Sequence, residues 1–147
     1  MGQTIDLREA PNTAPIIISE VKASTTIVFN AAAFPNNLGL AYSLRMFIDA
    51  TQIYSNNVGA GFASNALYMD YVKTTLEGLG YGIVIDGLNM EITDIAGNGA
   101  STNTKVSIIE SRDENANIFT NNLTSSPAFS GGVTAESTFY TIQLNKP

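Results

Sequence analysis

The chain contains no cysteine, no histidine and no tryptophan. The first absence excludes disulfides and thiolate chemistry. The second excludes Ser-His-Asp and Cys-His triads and histidine-based proton transfer. Together they remove the usual zinc ligands. Positive charge is also scarce: seven Lys and Arg stand against thirteen Asp and Glu, for a net charge of −6. Arg8, Lys22, Arg45, Lys73, Lys105, Arg112 and Lys146 are scattered singly. Phosphate-backbone binding needs clustered cations that release counterions, so neither a nucleic acid nor an anionic membrane is an expected partner. No apolar run approaches the roughly 20 residues of a membrane helix. The N-terminal stretch MGQTIDLREAPNTAP lacks a basic start and an apolar core, so no secretory leader is expected. Asp6 breaks the myristoylation pattern that Gly2 would open.

What remains is an apolar, sparsely charged chain of 147 residues, with 44% hydrophobic and 14% charged positions. That suits one domain with a modest core. Residues 1–15, interrupted by Pro11 and Pro15, read as an extended arm. Residues 16–147 read as a single β-rich domain. Segments 16–18 and 25–29 are short β-type runs, the second (TTIVF) dense in β-branched residues. Segment 31–37, AAAFPNN, then breaks the pattern. Leu38, Leu40, Tyr42, Leu44, Met46 and Ile48 alternate with smaller or polar residues. That period of two predicts one buried strand face, with Arg45 and Asp49 on the wetter side and a continuation as far as Tyr54. Segment 55–64 reads as a loop.

A helix is predicted over about 64–79. Ser64 or Asn65 is its cap, Tyr68, Val72, Leu76 and Leu79 are its apolar stripe, and Gly78 and Gly80 are its stop. The stretch GYGIVIDGLNMEIT follows. A two-residue loop at Asp86-Gly87 would set Ile85 against Leu88, Ile83 against Met90 and Tyr81 against Ile92, all on one face. Segment 94–103 is a second loop. Segment 104–111 is a strand, with Val106 and Ile108 alternating against Lys105, Ser107 and Ile109. Segment 112–117 is a turn before a short run at Ile118 and Phe119. Segment 120–137 is a long polar connection. Segment 138–144 is a closing strand, with Tyr140, Ile142 and Leu144 alternating. The fold class expected is α+β: a mainly antiparallel sheet or sandwich with one amphipathic helix packed on it.

Four motifs invite a chemical reading. GAGFAS at 59–64 has the form G-x-G-x-x-S ahead of a helix, and Asp86 lies some twenty residues on, as in a dinucleotide-binding unit. Ser64 replaces the third glycine, polar residues interrupt the preceding strand, and the following strand turns back as a hairpin; a glycine-rich connector fits better. DENAN at 113–117 places Asp113, Asn115 and Asn117 at calcium-loop spacing, but Ile118 and Thr124 stand where the glycine and the bidentate glutamate belong, so a turn fits better. Thirteen carboxylates in no specifying arrangement do not make a glycosidase pair. Asn122-Leu123-Thr124 is formally a glycosylation sequon. Of Tyr68, Tyr71 and Tyr81, Tyr71 falls off the helix stripe and is the one expected at an interface. No catalytic, cofactor-binding or metal-ligating residue is assigned, and no enzyme activity or cofactor is expected.

Segment 38–109 runs as a long strand, a loop, the helix SNALYMDYVKTTLEGLGYG, the hairpin IVIDGLNMEITDI, a Gly/Asn/Ser/Thr loop and the strand TKVSII. This order, with LGY leading into a strand, resembles bacteriophage virion structural proteins: capsid decoration, head-fibre and tail components. The resemblance implies a non-enzymatic role in the virion, with a homo-oligomer or other virion proteins as partners. The arm 1–15 and the loop 120–137 would make contacts, and TTIVF or the C-terminal strand would offer a sheet edge. The other class of function expected is a ligand- or carbohydrate-binding β-module using loops 55–63, 94–103 and 120–137.

Overall fold

The computed structural model describes residues 16–115, 118–119 and 123–138. The arm 1–15 and the closing strand beyond Thr138 lie outside the described residues. The fold is α+β and mostly β. Strands β1 (Ile16–Ile18), β2 (Ser24–Phe29), β3 (Ala41–Ile48) and β4 (Thr51–Ala60) precede helix α1 (Asn65–Gly78). Strands β5 (Gly82–Asp86), β6 (Asn89–Thr93), β7 (Ser107–Asp113), β8 (Ile118–Phe119), β9 (Leu123–Ser125) and β10 (Glu136–Thr138) follow. They form two four-stranded sheets, ordered β5-β6-β2-β9 and β4-β3-β7-β8, and a separate β1-β10 ribbon, with antiparallel pairing throughout.

One core joins both sheets and the helix. Ile27, Phe29, Met90 and Ile92 enter from the first sheet. Leu44, Met46, Ile48 and Ile109 enter from the second, and Tyr68, Met69, Val72 and Leu76 from α1. The alternation foreseen for β3 holds from Tyr42 to Ile48. It does not reach Leu38 and Leu40. The Asn37 side chain accepts the Gly39 amide at 2.9 Å, and the local turn delays the strand, leaving Leu38 60% exposed.

Nor does β3 run on to Tyr54. The chain reverses at Asp49-Ala50, both at positive φ (49° and 64°), and returns as β4 with Ile48 opposite Thr51. Segment 55–60 is therefore strand and not loop. Its polarity reflects its place at the sheet edge, where few side chains face the core. Register shifts leave Ile53 and Val58 as extra residues, and both still pack on the core.

Helix α1 starts where expected. Ser64 is extended and its Oγ accepts the Leu67 amide at 3.2 Å. Tyr68, Val72 and Leu76 are buried at i, i+4 and i+8, and Met69 joins them. Leu79 leaves the stripe, because it is the C-cap and the chain turns away at Gly80 (φ 92°).

The β5-β6 hairpin forms, with its loop one residue later than expected. Gly87 alone has positive φ (59°), the type II′ pattern, so the loop is Gly87-Leu88. Ile85 then pairs with Met90 and Ile83 with Ile92. Each partner moves by two residues, so Ile83, Ile85, Met90 and Ile92 keep their predicted face, while Leu88 moves into the loop and is exposed. Strand β2 helps to fix this register: the Phe29 amide donates to the Leu88 carbonyl at 2.9 Å, and Val28 pairs with Asn89. Strand β2 lies between β6 and β9, so TTIVF is no sheet edge.

Two further corrections concern the C-terminal half. In β7 the inward residues are Ser107, Ile109, Ser111 and Asp113, while Ile108 is 43% exposed. Pairing with β3 sets Ile109 opposite Met46 and Ser111 opposite Leu44, which overrides the alternation of Val106 and Ile108. Segment 120–137 is no free connection. Phe129 is buried, and its amide and carbonyl bond Lys105 and Thr104. Ser130 and Val133 bridge to Ser24 and Val21. The Asn103 side chain holds both the amide and the carbonyl of Gly132, at 3.0 and 2.9 Å.

Candidate functional site

A concavity lies beside α1 and is built in part from the segment that mimicked a nucleotide loop. Its glycines have structural duties. Gly59 takes φ 70° next to the β4 bulge. Gly61 lies so close to segment 35–37 that a Cβ there would sit 2.7 Å from the Pro35 carbonyl oxygen. The Phe62 amide donates to that same carbonyl at 2.6 Å. This close approach turns Phe62 toward the helix. Its ring meets Tyr68 and Tyr71, with centroids 5.3 and 5.5 Å away.

Tyr68 is the inner member of this pair. Phe29, Phe34 and Phe62 surround it, and its hydroxyl is buried without a hydrogen-bond partner. Burial pushes that hydroxyl far above its ordinary pKa. Tyr71 is the outer member. Its hydroxyl shares a 2.9 Å hydrogen bond with that of Tyr54, on β4. Burial, and then the Tyr54 contact, raise its pKa to about 12. Neither phenol therefore offers an acid or base near neutral pH.

Outside this pair lies an open groove of about 440 Å³, within the range of about 300–1,000 Å³ for ligand sites. Leu38, Phe62, Ala63, Leu67 and Tyr71 give it apolar walls, and Asp70 is its one carboxylate. Leu38 and Leu67 are 60% and 55% exposed. The groove can hold an apolar group; it brings together no nucleophile, base and oxyanion donor. Tyr71 thus does line a surface cavity. Leu38 and Leu67 are not legible as walls in the sequence, since alternation places one inside β3 and the other lies between stripe positions.

The remaining candidates are dispersed. Asp86 is exposed at the end of β5 opposite Asn89. Asp113 is buried and accepts the Asn115 amide at 3.0 Å, a local turn contact; Asn117 lies outside the described residues. Thr124 donates its hydroxyl to the Val28 carbonyl at 3.2 Å, while Asn122 of the sequon is outside the described residues. Tyr81 is half-buried, and burial and then the Asp94 charge raise its pKa. Asp94 organises loop 94–103 by accepting the Gly97 amide at 2.9 Å and the Thr102 hydroxyl. Among the described residues no group of three or more carboxylates is placed to hold a metal ion. No helix among them is long and apolar enough to cross a membrane. No family model, curated protein or solved structure matches the chain.

Proposed function

We propose that the chain is a non-enzymatic structural component of a bacteriophage particle, a capsid auxiliary, head-fibre or tail protein, acting through protein–protein contacts in the virion. The observation that most supports this reading is β1. Ile16, Ile17 and Ile18 are 55%, 70% and 42% exposed, so apolar side chains stand open on both faces of one strand. Burying each such side chain is worth about 1.5–3 kcal/mol. A two-stranded ribbon has no core of its own to supply that burial. Consecutive exposed isoleucines fit a surface that meets another chain. The resemblance of segment 38–109 to virion proteins supplies the class of assembly.

The test is co-sedimentation of the purified full chain with preformed capsids or tails. Binding that weakens when residues 1–15 are deleted is the expected result. A monomer with no affinity for any particle overturns the reading.

The groove favours a second reading, a carbohydrate-binding module. Tyr71 and Phe62 offer ring surface, and Asp70 a hydrogen-bond acceptor, for a sugar. That reading predicts glycan binding by an isolated monomer, unaffected by loss of residues 1–15 and abolished by Tyr71→Ala.

A further inference from the structure

Among the exposed apolar features of the described residues are the β1 isoleucines and the groove beside α1. Within one chain they do not cover each other: Ile17 is 70% exposed while Leu38 and Leu67 stand open at 60% and 55%. Among the described elements β10 alone makes an extended contact with β1. Exposed Ile17 can thus serve as a knob, and the groove as a hole of about 440 Å³.

We infer that the ribbon of one copy seats Ile17 in the α1 groove of a second copy. This rests on the assembly reading above and names one of its contacts. Charge selects the face of the ribbon. Ile16 and Ile18 share their face with Glu136, which pairs with Ile18. That face would bring a carboxylate toward Asp70 at the groove. Ile17 stands opposite Ser137, which is small and uncharged, so its face approaches without like-charge repulsion. Phe62, Leu67 and Tyr71 then receive an aliphatic side chain in a pocket that no apolar side chain among the described residues fills.

The contact joins two different patches. Unless two copies fill each other's grooves reciprocally, each copy keeps a free knob and a free hole, and addition continues into a ring or a filament.

Self-association of the full chain, measured by sedimentation velocity over a range of concentrations, tests it. Ile17→Asp and Leu67→Asp change exposed positions, and unchanged circular dichroism and thermal melts verify that both variants fold. The wild type should grow in mass with concentration. Each variant alone should lose at least tenfold in self-association. An equimolar mixture should form a dimer and stop there, because one variant keeps a working hole and the other a working knob. Three results overturn the inference: a wild type that stays monomeric, a variant that associates as the wild type does, or a mixture that fails to pair. The first would assign the isoleucines to the chain's own terminal segments. Co-sedimentation with particles separates the two readings. A chain that binds particles but fails these tests keeps its virion role without this contact. A chain that self-associates through Ile17 but binds no particle keeps the contact and loses the virion role.

Discussion

The β5-β6 and β3-β4 hairpins are both closed by two residues and both feed the same core, yet their turns have different origins. At Gly87-Leu88 only Gly87 needs positive φ, and glycine adopts it without steric cost. At Asp49-Ala50 both residues take left-handed conformations. Asp tolerates this; for Ala it costs about 1–2 kcal/mol. The first turn is written in its own residues. The second is imposed by what flanks it: β3 is paired on one side to β4 and on the other to β7, with Tyr42, Leu44, Met46 and Ile48 buried beneath. A turn can therefore be local chemistry, or the place where two well-held strands are obliged to meet.

Substitutions can break or sharpen this contrast. The largest effect should come from the shared core. Met46→Ala in β3 and Met90→Ala in β6 should each lower unfolding free energy by about 2–5 kcal/mol in urea titration. A loss confined to one of them would show that the two hairpins do not share a cooperative core. Gly87→Ala should cost about 1–2 kcal/mol, because open space surrounds the position and only the backbone objects. Ala50→Gly should move the other way, raising stability by about 1 kcal/mol, with a higher melting temperature as the readout. A destabilised Ala50→Gly would mean that the β3-β4 turn carries no backbone strain. The smallest change is expected for Asp86→Asn. It alters an exposed strand-end residue and should stay within about 0.5 kcal/mol, leaving the proposed particle binding unchanged. Loss of function with an intact fold would return Asp86 to the list of active groups.

The same contrast shows how much was legible beforehand. Helix α1 could be read because the Ser64 cap, the stripe of Tyr68, Val72 and Leu76 and the turn at Gly80 agree. The faces of the β5-β6 hairpin could be read although its pairs could not, since a shift of two residues preserves parity. Strand β7 misled because Ile108 and Ile109 are adjacent and polar residues occupy both faces. Only the register against Met46 decides which isoleucine goes in. Phe129 was hidden in a polar stretch, and its burial depends on backbone bonds to segment 104–105. The groove at the helix was half visible, through Tyr71.

By itself the sequence determined the class of fold, the helix with its cap, and the absence of thiolate and imidazole chemistry. These follow from residue identity and short-range periodicity, which act within a few positions of the chain. The tertiary structure alone decided that segment 55–60 is an edge strand, that Ser111 and Asp113 face inward, and that Leu38, Phe62, Leu67 and Tyr71 frame one groove. Those outcomes depend on which strand lies beside which and in what register, and such pairing joins residues far apart in the chain.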